Sequence, residues 1–200
     1  MRLTPAGLRA HGHRLPCTVG RSGVTAAKQE GDGATPAGLH RIVQLLWRPD
    51  RLGRPSWPHR AARPIRPGEI WCEDPGDAFY NQRVRRPGAV SEEHLRRPDP
   101  LYDLILVLDW NAAGTPGRGS AIFVHRRRRP GAPTAGCLAL SARDLRRLAE
   151  RTRPGDRLIV PAPTGGPSSR RERPGASGGQ RPQTSARGGA AGAVPRDGEG

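Results

Sequence analysis

The sequence is poor in aromatic residues and has no long hydrophobic run. Only 4% of its 200 residues are Phe, Trp or Tyr, and the longest uninterrupted aliphatic run is 104–108. A helix that crosses a bilayer needs roughly 20 apolar residues. The first dozen residues also lack the apolar stretch of a secretory signal. The sequence therefore predicts neither a transmembrane segment nor a signal peptide.

Cysteine is scarce, and its three residues are widely spaced. Cys17, Cys72 and Cys137 form none of the CxxC pairs that zinc ribbons and redox sites use. An odd number of cysteines cannot pair completely within one chain, so at least one thiol is predicted to be free. His11 and His13 lie near Cys17, but no fourth ligand has a suitable spacing. No metal site is predicted.

Lysine is nearly absent, since Lys28 is the only one among 34 basic residues. With 18 acidic residues the net charge is +16, which favours anionic surroundings. A nucleic-acid-binding protein is therefore the alternative from another class. Against it, stacking aromatics are few and the arginines are dispersed among Pro and Gly instead of lying along one helix. No specific nucleic-acid partner is predicted.

Glycine and proline are abundant, with 27 and 22 residues, and they concentrate towards the C-terminus. Between 161 and 200, Val194 is the only residue from the set Val, Ile, Leu, Met, Phe, Tyr and Trp. Such a segment cannot bury enough apolar area to offset an ordering cost of about 1–2 kcal/mol per residue. We predict a working domain at 1–160 and a disordered tail at 161–200.

Local patterns predict a mainly β domain. Residues 15–19 alternate between apolar and polar or small side chains, as in a half-buried strand. Residues 101–110 and 119–125 are dense in aliphatic side chains, which predicts strands covered on both faces. Residues 39–47 fit a strand and a short helix about equally well, so both assignments stay open.

One helix is predicted near the end of the domain. Ser141 and Asp144 form a capping signature, and Leu145 and Leu148 recur at helical spacing after it. The turn residues that follow end the helix, and 157–160 then read as a closing strand. The predicted fold thus has many strands and a single short helix.

The strongest chemical signal lies in 119–141. A predicted strand ends at His125, and an arginine-rich loop returns the chain to Cys137. A cysteine is a reactive thiolate at neutral pH only if its pKa lies below the usual value of about 8.5. A neighbouring imidazole and nearby positive charge can lower the pKa in this way. Gly136 allows a sharp turn that aims N–H groups at an oxyanion. The pattern predicts a Cys–His acyl transferase, although a lone cysteine or histidine is more often structural.

This block resembles the L,D-transpeptidase catalytic domain family (YkuD-like). There a strand that ends in His is followed by S/T-x-G-C, which Thr134, Gly136 and Cys137 match. Residues 28–38 look like the family's Gly, Thr and Pro-containing turn. Segments 71–81 and 101–111 resemble those of a short, single-domain branch.

The resemblance implies a β-sandwich-like fold with a groove that opens onto the cysteine, acting on peptidoglycan stem peptides without a cofactor. Cys137 would be the nucleophile that attacks the carbonyl of the third stem residue and expels D-alanine. His125 would be the general base and acid, Gly136 would supply a backbone oxyanion-hole donor, and Thr134 would support the motif. Such chemistry places the protein in the periplasm or cell envelope.

The acceptor is left open by the sequence. A second stem would give a cross-link, water would make the protein an L,D-carboxypeptidase, and a lysine would anchor an envelope protein. Arg126 and Arg127 are predicted to contact substrate carboxylates, although a solvated loop explains the run 126–129 slightly better. The sequence departs from the family in having Arg126, Ala135 and Ala139 where Gly, His and Arg are usual.

Overall fold

The computed structural model describes residues 1–58, 61–86 and 93–163. Of the predicted tail at 161–200, the part from 164 onward lies outside the described residues. The described strands are β1 (Arg2–Thr4), β2 (Gly7–Ala10), β3 (His13–Leu15), β4 (Val24–Thr25), β5 (Thr35–Pro36), β6 (Gly38–Trp47), β7 (Ala62–Pro64), β8 (Glu69–Trp71), β9 (Arg83–Arg85), β10 (Glu93–His94), β11 (Leu104–Leu108), β12 (Phe123–Arg126), β13 (Leu138–Leu140) and β14 (Arg157–Val160). The mainly β prediction is confirmed.

One large sheet organises the domain. Its strand order is β13-β12-β11-β6-β14-β1-β2-β3, with β7 also paired to β6, while β10-β8-β9 and β4-β5 form two small sheets. Residues 39–47 belong to the long strand β6, so the strand assignment is the right one. The first half of β6 pairs with β14 and the second half with β11.

The large sheet bends at β6 and nearly closes on itself. Gln44 lies opposite Val107 but Ile42 lies opposite Leu108, so Val43 is a bulged residue that increases the local twist. Beyond β3, Thr18 and Ala139 exchange two backbone hydrogen bonds of 3.0 and 2.8 Å. These bonds join the two ends of the strand order. The predicted strand at 15–19 is thus an extended segment of which only Leu15 belongs to a named strand.

Strand β11 is buried on both faces, as its composition predicts. Leu104, Leu106 and Leu108 join one hydrophobic cluster, and Ile105 and Val107 join a second. The 101–110 prediction is too long at its start, because Pro100–Tyr102 form a 3-10 turn capped by Asp99. The second cluster, which includes Cys137, lies beneath the candidate site.

The predicted helix is present as α1 (Ala142–Arg151). Ser141 accepts a hydrogen bond from the Asp144 N–H at 3.1 Å, so the predicted cap is in place. Leu145 and Leu148 are buried in the first cluster, which contributes roughly 2 kcal/mol for each side chain. The predicted closing strand at 157–160 is also confirmed, since it coincides with β14.

Candidate active site

Two neighbouring strands bring the predicted nucleophile and base to one face of the sheet. β12 and β13 are parallel, with Val124 opposite Leu138 and His125 opposite Ala139. Cys137 immediately precedes β13. Because side chains alternate along a strand, His125 and Cys137 both point away from the core face that Val124 and Leu138 occupy. The register thus places the two residues as diagonal neighbours on one surface.

Both side chains line an open groove of about 460 Å³. Its walls come from distant parts of the chain, chiefly the end of β12, the 127–137 connection and the 3-10 turn. Further lining residues are Arg21, Glu93, Arg97, Leu101, Tyr102, Arg127, Arg128, Arg129, Ala132, Pro133, Thr134, Ala135 and Ala139. A groove of this size accommodates a peptide segment.

The Cys137 thiol is nearly buried, with 8% of the residue exposed. Its Sγ donates to the Ala121 carbonyl at 3.0 Å and accepts from the Phe123 N–H at 3.4 Å. Burial raises the pKa of Cys137 to about 12, and the Phe123 N–H only partly offsets this. Glu93 raises the pKa further. The resting group is therefore a thiol and not a thiolate.

The His125 imidazole is held in one tautomer. Nδ1 lies 2.8 Å from the Arg126 carbonyl oxygen, which can only accept, so Nδ1 carries the proton. The edge of the ring meets Tyr102 at a centroid distance of 5.2 Å. Burial lowers the pKa of His125 to about 4, helped by the charge of Arg97. At neutral pH the ring is uncharged, and Nε2 is the nitrogen that can accept a proton.

The thiol and the imidazole share the groove without a direct hydrogen bond among the described residues. The Sγ–H instead points to the Ala121 carbonyl. The expectation that His125 and the arginine run lower the thiol pKa is wrong for this state, because burial raises that pKa and the positive charge that lowers it is Lys28. Any proton transfer from Cys137 to Nε2 therefore requires a rearrangement from this resting state, and catalytic hydrogen bonds often tighten only in the complex.

A hydroxyl organises the turn before the nucleophile. Thr134 Oγ1 donates to the Cys137 carbonyl at 2.6 Å and accepts from the Gly136 N–H at 3.1 Å. Gly136 has φ +150°, and a Cβ there would meet the Ala34 carbonyl oxygen at 3.0 Å. A glycine is thus needed on both counts. Thr35 also donates to the Gly136 carbonyl at 2.7 Å, which ties the 28–38 segment to this turn.

The bond to Thr134 bears on the predicted oxyanion hole. Since the Gly136 N–H is already engaged, it reaches an oxyanion only if that bond is released. The Cys137 N–H has no hydrogen-bond partner among the described residues. Of the two amides beside the thiol, Cys137 is thus the more available donor, and Gly136 requires a local rearrangement.

Asn81 is a structural support that sequence reasoning missed. Its Oδ1 accepts from the Ala121 N–H at 3.0 Å and from Trp71 Nε1 at 2.8 Å. Its Nδ2 donates to the Trp110 and Asn111 carbonyls. Ala121 has φ +52°, a left-handed conformation that is unusual for alanine. Asn81 therefore holds in place the carbonyl that the thiol contacts.

Tyr102 lies in segment 101–111 and Asn81 in segment 71–81, and the resemblance of these segments to the family was the sequence signal that could have pointed to both residues. No sequence signal pointed to Glu93 and Arg97, which form an ion pair at 2.9 Å. Neither their spacing nor their composition marked them, because the topology alone brings them to the groove.

The predicted arginine pair divides between two surfaces. Arg127 lines the groove, together with Arg21, Arg128 and Arg129. Arg126 is the last residue of β12 and points the opposite way, into a depression beside Leu145. Strand alternation is the reason, and the prediction of Arg126 as a substrate contact is not supported. Within the described ranges, none of these four arginines forms an ion pair, whereas Arg97, which also lines the groove, pairs with Glu93.

A comparison with protein-family models identifies the family of the chain. A model of the L,D-transpeptidase catalytic domain, YkuD, matches residues 9–160. The chain belongs to the YkuD family. Members of this family are cysteine-dependent L,D-transpeptidases that act on peptidoglycan. Comparisons with curated proteins and with solved structures give no significant match.

The described residues offer neither a membrane-spanning helix nor a metal-binding cluster. In the part of the chain that the structure describes, no helix is both long and apolar enough to cross a membrane. Nor do the described residues contain a group of three or more His, Cys, Asp and Glu side chains placed to hold a metal ion. His11, His13 and Cys17 accordingly form no such group.

Proposed function

We propose that the protein is a peptidoglycan L,D-transpeptidase that transfers an acyl group through Cys137. The observation that carries the proposal is the pairing of a thiol with a tautomer-fixed, uncharged imidazole in one groove. Family membership supports the same reaction class. The role is cell-wall cross-linking or remodelling, with stem peptides as substrates, in the periplasm or cell envelope.

In the acylation half, the thiol proton passes to Nε2 of His125 as Sγ attacks the carbonyl carbon of the third stem residue. The oxyanion that forms accepts a hydrogen bond from the Cys137 N–H, and from the Gly136 N–H once Thr134 releases it. Collapse breaks the amide bond to D-alanine. The departing amine takes the proton from His125, which leaves a thioester on Cys137 and a neutral ring.

The second half reverses these roles. An acceptor amine attacks the thioester carbonyl while Nε2 removes its proton. Collapse breaks the carbon–sulfur bond, and the proton returns from His125 to Sγ. Because both groups are uncharged at rest, each half of the reaction moves one proton within the site and requires none from bulk water.

The groove arginines are the proposed substrate contacts. A stem peptide carries carboxylates, and each guanidinium offers a planar pair of donors to such a group. Arg21, Arg127, Arg128 and Arg129 surround the groove without ion-pair partners in the described residues. The family usually has Arg where this chain has Ala139. The four groove arginines supply the positive charge that is missing at that position.

A product analysis with a tetrapeptide stem tests the reaction and its acceptor. Release of D-alanine together with a stem dimer would identify a transpeptidase. Release with only a tripeptide product would identify an L,D-carboxypeptidase, and transfer to a lysine side chain would identify a protein-anchoring enzyme. Absence of D-alanine release in the wild-type protein would contradict the proposal. Salt-sensitive DNA binding by residues 1–160 that survives Cys137→Ala, in a protein that releases no D-alanine, would instead favour the nucleic-acid alternative.

A further inference from the structure

One face of the large sheet is turned to solvent and carries a row of arginines. One row of cross-strand neighbours runs over β6, β14, β1, β2 and β3, with one residue from each strand. In this order the residues are Leu39, Ile159, Arg2, Arg9 and Arg14. All five are exposed, whereas their neighbours along the strands, such as Leu8 and Leu158, are buried. The row therefore belongs to the outer surface of the sheet.

A second pair extends the positive surface. Arg41 lies opposite Arg157, two residues along from Leu39 and Ile159, and both are exposed. We call Arg2, Arg9, Arg14, Arg41 and Arg157 together the arginine face. A shallow depression of about 580 Å³ lies on it and is lined by Arg2, Arg9, Arg14 and Ile159, among others.

The charges of the arginine face are not neutralised within the described residues. Other arginines form ion pairs, such as Arg48 with Asp50 at 2.7 Å, but none of the five does so there. Like charges directly opposite each other on adjacent strands are destabilising. Two carboxylates lie at the margin of the arginine face. Asp109 accepts a hydrogen bond from the backbone N–H of Arg41, and Asp156 accepts one from the backbone N–H of Arg153. The face thus presents unpaired cations to a partner.

Aliphatic side chains share this surface. Leu39, Val43 and Ile159 are 54%, 44% and 37% exposed, and they are three of the four large exposed hydrophobic residues in the described chain. Ile159 lies directly opposite Arg2, so the apolar strip and the arginines are continuous. A soluble polyanion would use the charges but would gain nothing from exposed aliphatic groups. A lipid headgroup layer uses both, because phosphates pair with guanidinium groups while aliphatic side chains enter the acyl boundary.

We propose that the arginine face, with Leu39, Val43 and Ile159, docks the protein on an anionic phospholipid surface. The proposal uses none of the groove residues, so it stands or falls independently of acyl transfer. Its test is co-sedimentation of the full chain with phosphatidylcholine vesicles, with and without phosphatidylglycerol. Binding is expected only with phosphatidylglycerol and is expected to weaken as salt is added. Binding that is indifferent to salt and to headgroup charge would overturn the proposal.

A matched pair of variants locates the surface. Arg9→Gln/Arg14→Gln/Arg41→Gln removes three charges from the arginine face. Arg54→Gln/Arg63→Gln/Arg146→Gln removes three exposed charges elsewhere. Each arginine near the membrane surface should contribute about fivefold to the affinity. The first variant should therefore bind phosphatidylglycerol vesicles about 100-fold more weakly than the wild-type protein, whereas the second should bind nearly as tightly as the wild-type protein. Residues 164–200 are the same in both, so equal loss in the two folded variants would overturn the proposal.

A third variant separates lipid from other polyanions. Leu39→Ser/Ile159→Ser should weaken vesicle binding while leaving binding to soluble polyphosphate unchanged. Vesicle binding unaffected by this variant would show that only the charges matter, and the lipid assignment would be wrong. Circular dichroism of each variant confirms folding. The salt titration of the wild-type protein needs no variant and tests the electrostatic part by itself.

Discussion

Cys137 and Cys17 belong to the two segments that the Thr18–Ala139 bridge joins, but they have different surroundings. Burial raises the pKa of each thiol to about 12, so thiol acidity does not distinguish them. Cys17 donates to the Thr18 carbonyl at 3.4 Å and packs against the first hydrophobic cluster. Cys137 shares a groove with an imidazole whose Nε2 can accept a proton. The neighbouring imidazole and the groove, and not the resting pKa, distinguish Cys137 as the proposed nucleophile.

This difference also indicates how the nucleophile is activated. A preformed thiolate–imidazolium pair requires a lowered cysteine pKa and a raised histidine pKa. Here the cysteine pKa is raised and the histidine pKa is lowered, both chiefly by burial. In the proposed reaction, Cys137 is therefore activated by proton transfer during attack on the substrate.

The largest effect is expected from removing the nucleophile. Cys137→Ala should abolish release of D-alanine from a tetrapeptide stem, because no other thiol shares the groove with His125. Cys17→Ala and Cys72→Ala should retain turnover within about twofold, since neither side chain lines the groove. Equal losses in all three variants, each folded by circular dichroism, would remove the distinction between the thiols.

Removing the base should give the next largest effect. His125→Gln should slow acylation about 10²–10⁴-fold at neutral pH. The variant should regain about tenfold per pH unit toward pH 12 as hydroxide forms the thiolate. The wild-type rate should be flat above about pH 5 and fall near pH 4, where protonation of the imidazole removes the base. Parallel pH profiles of kcat/KM for the two proteins would show that His125 is not the base.

A smaller effect is expected from the turn that presents the thiol. Thr134→Val removes the hydroxyl that bonds the Gly136 N–H and the Cys137 carbonyl. It frees the Gly136 N–H but removes the bond that fixes the Cys137 peptide, so it should slow acylation about tenfold and destabilise the fold by about 1–2 kcal/mol. Thr134→Ser keeps the hydroxyl and should restore both. Alkylation of Cys137 by iodoacetamide forms no oxyanion, so its rate should change little. If alkylation slowed as much as acylation, the turn would act on the thiol itself.

The smallest effect is expected from deleting 164–200. Both thiol environments are built from earlier residues, and the composition of this segment predicts little burial. The melting temperature should change by less than about 4 °C, roughly the effect of 1 kcal/mol. The ranking of the cysteines in thiol labelling should also be unchanged. A larger fall in melting temperature, measured by calorimetry, would show that the segment packs on the domain.

Local signals in the sequence were sufficient for several elements. The Ser141 cap and the spacing of Leu145 and Leu148 identify α1 because a helix terminus and its buried face are encoded within a few residues. The double burial of β11 follows from its unbroken aliphatic run. By contrast, residues 39–47 were ambiguous because a strand that pairs differently along its two halves shows no simple alternation.

The site was predictable only where the motif is continuous in sequence. His125, Thr134, Gly136 and Cys137 lie within 13 residues of one another and carry the family pattern. The Asn81 support comes from a segment that reaches the thiol only through the fold. A run of neighbouring arginines predicts one substrate-facing group, yet strand alternation sends Arg126 and Arg127 to different surfaces. The protonation of the resting Cys137 thiol also depends on its burial, which no local sequence pattern reports.

The most direct test of the central claim is mass spectrometry of the intact protein after incubation with a tetrapeptide stem. The account predicts a covalent adduct of the stem that lacks D-alanine, with peptide mapping that places it on Cys137. Family resemblance also implies that carbapenems form an adduct at the same residue. Wild-type protein that takes up neither molecule at Cys137, or takes them up at Cys17 instead, would contradict the assignment of Cys137 as the nucleophile.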